Sequence, residues 1–230
     1  MTKTVIFILL SILLLTGCNN SDQVIVKYVD NDPLYFDYKI WGEEDRDYVT
    51  VMLQYRLENE EGFTKALRNS AKVECDGALL KADSSKMSGF FYETQKPLDS
   101  FAGKHLISYT DSAGKVYNEP FEFAPFTLKK ELPETVHRND LVLQFEGLKD
   151  EDYIRVIALD TAFKSRGINE VDTVKNGILI ITKNRLKNLV NGRVHLELYK
   201  EEEWPVKNAT TAGGYLSITY SLKRDFLLAD

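Results

Sequence analysis

The chain has 230 residues, 43% of them hydrophobic, with 29 Lys and Arg against 35 Asp and Glu for a formal charge of −6. That apolar share supports a packed core. The acidic balance argues against nucleic acid as a partner and against electrostatic docking onto anionic lipid, both of which require basic patches.

In chain order, Lys3 comes first, followed by an apolar run of eleven residues from Val5 to Leu15. A membrane span needs about 20 apolar residues, so residues 1–17 read as a signal peptide. The run ends at Leu15-Thr16-Gly17-Cys18 and turns polar at once. These four residues resemble the lipobox of bacterial lipoproteins. The resemblance implies diacylglycerol on the sulfur of Cys18, cleavage before it, and acylation of the new amino group. Two or more acyl chains anchor stably, at about 0.8 kcal/mol per buried methylene. Residues 18–23 then form a lipidated polar tether. Asn19 is not the aspartate associated with inner-membrane retention in enteric bacteria, which favours the outer membrane. Asp22 stands alone and leaves the periplasmic and surface faces both open.

Period-two alternation follows along the rest of the chain. Val49, Val51, Leu53, Tyr55 and Leu57 share one face of a predicted strand over Tyr48–Leu57. Leu216, Ile218, Tyr220 and Leu222 alternate with Ser, Thr, Ser and Lys in another. Such alternation marks strands with one buried face. Asp76-Gly77, Ala113-Gly114, Asn191-Gly192 and Gly213-Gly214 punctuate them as turns. The best helical candidate is Asn184–Val190, with Asn184 as N-cap.

A pattern recurs within the chain. Gly89-Phe90-Phe91-Tyr92, then Leu98 and Phe101, then Gly103 to Tyr109 is echoed by Gly177 to Ile181, then Leu186 and Leu189, then Gly192 to Tyr199. Strand, short crossing segment with two apolar plugs, strand, loop, strand is the late part of a Greek-key sandwich. The expected fold is therefore all-β: two tandem immunoglobulin-like Greek-key β-sandwiches, residues 24–128 and 140–230. The charged segment 129–139, holding Pro133, is the expected linker. Architecture and anchor together resemble the lipoproteins with β-sandwich domains that Bacteroidota make in quantity. That resemblance carries no catalytic motif.

Chemistry is sparse. His105, His137 and His195 show no metal-ligand spacing, and Cys75 has no second thiol beside it once Cys18 is lipidated. No metal and no cofactor is expected. Cys75 reads as a small buried hydrophobe before a turn. His105 and His195 hold matching places in the repeat, which points to a shared structural task. No G-x-S-x-G elbow occurs, and Ala113-Gly114-Lys115 lacks the partner glycine of a phosphate loop. The acidic stretches Glu43–Asp47 and Asp150–Asp152 read as solvated turns without the spacing of a calcium loop. Trp41, at the end of a strand, and Trp204, in the loop of the last hairpin, are the candidate partner-binding residues. The expected function is a non-catalytic, lipid-anchored envelope lipoprotein that binds or spaces a protein partner. The alternative is a carbohydrate-binding accessory of a polysaccharide uptake system.

Overall fold

A computed structural model describes residues 33–67, 70–162 and 165–230. Cys18 and the predicted signal peptide and tether lie outside the described residues. Among the described residues, no helix is long and apolar enough to cross a membrane.

Strands β1 (Leu34–Glu43), β2 (Tyr48–Leu57), β3 (Lys72–Cys75), β4 (Ala78–Leu79), β5 (Ala82–Ser85), β6 (Gly89–Pro97), β7 (Gly103–Thr110) and β8 (Val116–Phe123) form the first sandwich. β9 (Thr127–Leu128), β10 (Thr135–His137), β11 (Leu141–Glu146), β12 (Tyr153–Asp160), β13 (Ile168–Thr173), β14 (Ile178–Ile181), β15 (Gly192–Pro205) and β16 (Gly214–Ala229) form the second. The first pairs β1-β2-β6-β5 in one sheet and β4-β3-β7-β8 in the other. The second pairs β14-β11-β9 against β13-β12-β15-β16, with β10 alongside β16. Both orders are those of immunoglobulin-like sandwiches.

The two sandwiches share a sheet. Strand β1 runs parallel to β16 from Phe36 opposite Gly214 to Glu43 opposite Ser221. One continuous sheet therefore reads β13-β12-β15-β16-β1-β2-β6-β5, and the described residues form a single compact unit. Gly214 permits the seam: a Cβ there would lie 2.5 Å from the Phe36 carbonyl oxygen and 2.7 Å from the Phe36 Cβ. The two smaller sheets stand on the same face of the long one. Phe36 of β1 meets Tyr109 and Tyr117 of the first small sheet edge-on, and Tyr220 of β16 meets Phe123 and Phe126.

Both crossing segments behave as the repeat predicts. A 3-10 turn, Leu98–Ser100, leads from β6 in the long sheet to β7 in a small one, with Phe101 buried behind it. Helix α1 (Lys183–Leu186) leads from β14 in a small sheet to β15 in the long one, burying Leu186 and Leu189. The helix is shorter than expected and starts earlier. Its N-cap is Thr182, whose hydroxyl accepts from the Arg185 amide, and Asn184 lies inside it. A β-region Thr satisfies an orphan N–H there, so the asparagine is not needed.

Residues 129–139 are held along their length. Arg224 of β16 binds Glu131 through Nε at 2.6 Å and also pairs with Glu44 of the β1–β2 turn. Val136 and its neighbours pair with Leu227–Ala229. His137 is exposed and its Nδ1 lies 3.0 Å from the Asp230 carbonyl oxygen.

Candidate functional site

The pleat decides where the two tryptophans go. Trp41 sits within β1, two residues before its end, partly exposed on the open face of the long sheet between Thr50 and Thr219. Trp204 is not in the hairpin loop. It is a strand residue of β15, directly opposite Leu216 of β16. The hairpin extends to Pro205 because this distal half of β16 gains a second partner in β1. Trp204 shares the face of Val194, Leu196, Leu198, Lys200 and Glu202, the face that carries the small sheets.

Beyond the core of the second sandwich, this face is the floor of a groove bounded by the first small sheet and the β11–β12 turn. The groove holds about 470 Å³, and Lys200, Glu202 and Trp204 contribute from β15. Pro120, Phe121 and Glu122 of edge strand β8 line one side, and Lys149 of the β11–β12 turn lies opposite. Lys104 and Lys207 complete the rim. Trp204 packs partly against the core, so its ring is braced.

The groove is cationic on an acidic chain. Four lysines face two glutamates in its lining. Lys200 is buried, with Nζ 3.1 Å from Asp152 and 3.5 Å from Glu202. Lys104, Lys149 and Lys207 are exposed, and none of their ammonium groups makes an ion pair among the described residues. Below the hairpin, buried Glu119 accepts a 2.9 Å hydrogen bond from the Lys207 amide and fixes the loop that carries this lysine.

Four acids of the two acidic stretches are committed to structure. Glu43 pairs with Lys223 and Arg46, and Glu44 pairs with Arg224. Asp150 accepts from the Asn176 amide, and Asp152 from the Lys149 amide. Among the described residues, no group of His, Cys, Asp and Glu is arranged to hold a metal ion.

The matching histidines differ in detail. His105 stacks on Phe101 at 3.9 Å and bridges Asp76 and the Phe101 carbonyl, closing one end of the first core. His195 lies on the open face of the long sheet, with Nδ1 2.9 Å from Asp225 and Nε2 3.0 Å from Glu197. Only the imidazolium donates to both carboxylates, so Glu197 and then Asp225 hold its pKa above the usual histidine value. Tyr199 donates to the other oxygen of Glu197. Burial and the Asp76 carboxylate push the Cys75 thiol up to about 11, so it is not a thiolate at neutral pH.

No protein-family model and no curated protein sequence matches this chain. Solved structures do. A crystal structure of DIP-gamma IG1+IG2 is similar over 88% of this chain and 100% of that one, at 10% identity and a TM-score of 0.25. A crystal structure of Dpr11 IG1 bound to DIP-gamma IG+IG2 covers 82% of this chain and 96% of that one, at 9% identity and a TM-score of 0.24. Both describe immunoglobulin domains.

Proposed function

We propose that this chain is a non-catalytic binding module, held at the outer membrane by lipid on Cys18, whose groove around Trp204 captures a carbohydrate chain. One observation carries the choice. Trp204 lies on the floor of a concave site, beside hydrogen-bonding carboxylates and ammonium groups, rather than on a protruding loop. Concave sites of about 300–1,000 Å³ suit compact ligands, whereas a protein face needs about 800 Å² per partner. An aromatic plane with polar groups at its edge suits a sugar ring, which has an apolar face and a hydroxyl rim.

A glycan array probed with the full chain in detergent tests this reading. Binding should fall below detection for Trp204→Ala and persist for Trp41→Ala. The reverse pattern, or no glycan bound by the folded wild type, counts against it. A protein partner of the envelope is the second reading, favoured by Trp41 on the open face of the long sheet. The anchor has its own test: mass spectrometry of the amino-terminal peptide should find a lipidated Cys18. A free thiol there overturns the anchor and leaves the groove untouched.

A further inference from the structure

We infer that the ligand of the Trp204 groove is an anionic saccharide, one bearing uronic-acid carboxylates; this rests on the carbohydrate reading above and names its class. The argument is charge complementarity in a confined place. The chain as a whole carries −6, yet Lys104, Lys149 and Lys207 converge on one groove from three separate stretches of chain. Lys104 stands opposite Glu122 in the β7–β8 ladder, makes no ion pair with it among the described residues, and leaves the rim with an excess of positive charge; like charges so gathered repel one another and weaken the fold. A bound carboxylate removes that repulsion and forms charge-assisted hydrogen bonds.

The site is also built to hold these charges. The backbone that carries Lys207 is pinned by buried Glu119, and Asp152 receives both the Lys149 amide and the Lys200 ammonium. Lys200 is thereby neutralised as a floor group, and the three rim lysines remain available. The bounding strand β8 disfavours an extended peptide as occupant. It is the last strand of its sheet, but Pro120 in its middle has no N–H to give and blocks continuous pairing. Recognition must therefore run through side chains: a sugar ring on Trp204, carboxylates on the rim lysines, and hydroxyls to Glu122 and Glu202.

The test uses the full chain in detergent and isothermal titration with uronate tetramers (galacturonate, mannuronate and a hexuronate–hexosamine repeat), neutral tetramers of hexose, and a Glu-rich peptide. At least one uronate should bind, more weakly as salt rises, and tighter than any neutral sugar. The double variant Lys104→Gln/Lys207→Gln, folded by circular dichroism, should lose about tenfold or more in affinity. Neutral sugars bound as tightly as uronates, or an unchanged affinity in the double variant, would overturn the charge inference and leave the carbohydrate reading standing. The peptide binding in place of every saccharide, or no saccharide binding at all, would sink both.

Discussion

Trp41 and Trp204 are both strand residues of one sheet, and alternation sends them to opposite faces. A tryptophan's neighbours in sequence do not reveal this, because the side it occupies depends on which face the sheet covers. His195 shows the same dependence. Its carboxylate partners come from its own strand, two residues on, and from β16, thirty residues away. The raised pKa has a defined consequence for stability. The contribution of charged His195 is fully present below its unfolded value, about pH 6.5, and is lost as pH rises through the higher folded value. The imidazole is 44% exposed, so solvent screening keeps the effect small. An NMR titration should place the His195 pKa above the usual histidine value of about 6.5. His195→Asn should flatten the decline in denaturation midpoint as pH rises above about 6.5. A midpoint equally pH-dependent in both proteins would remove His195 as the cause.

Strand β16 is the element on which the molecule turns. Sixteen residues long, it pairs with β15 from Tyr215 to Leu228 and with β1 and β10 on its other edge. The alternation that announced it covers its middle; its extension at both ends comes from partners far away in the chain. Gly214 and Arg224 make two of its contacts with the first half. Gly214→Ala places a methyl against Phe36 and should cost about 1–3 kcal/mol by forced displacement, read as a lower urea midpoint. Amide exchange should quicken first along Phe36–Glu43 and Gly214–Ser221, the paired seam. Unaltered exchange there, with stability unchanged, would show that the seam tolerates the methyl. Arg224→Met strips the partner from Glu44 and Glu131. Glu131 is well exposed, so the loss should be about 1–2 kcal/mol and should loosen the β1–β2 turn in exchange experiments more than the distal β12–β13 hairpin.

A continuous sheet makes the two sandwiches one cooperative body. Tyr220 of the second half packs on Phe123 of the first, and the Thr210 hydroxyl donates to the Leu34 carbonyl across 2.6 Å. Unfolding either half exposes the edge of the other, which costs buried area and ladder hydrogen bonds together. The single-tryptophan variants Trp41→Phe and Trp204→Phe leave one reporter each, in β15 and β1 respectively. Their fluorescence transitions in urea should share one midpoint after correction for each variant's stability by circular dichroism. Two separated transitions would mean that the seam is a contact between independent domains. The groove depends on this fusion too, since its floor is β15 and its flanking strand is β8 of the other sandwich.

The all-β class, the immunoglobulin-like sandwiches and the paired crossing segments were legible in the residues alone. These are local matters: period-two alternation, turn residues such as Asp76-Gly77 with both φ positive, and apolar plugs at fixed spacing. Cys75 was legible too, as an inert core residue. That β1 and β16 pair, that Trp204 lies on a strand, and that Lys104, Lys149 and Lys207 line one groove emerges only in the folded chain. Each of those rests on contacts between residues dozens of positions apart. A lone lysine on a polar turn reads the same in sequence whether it faces bulk water or two other lysines across a groove.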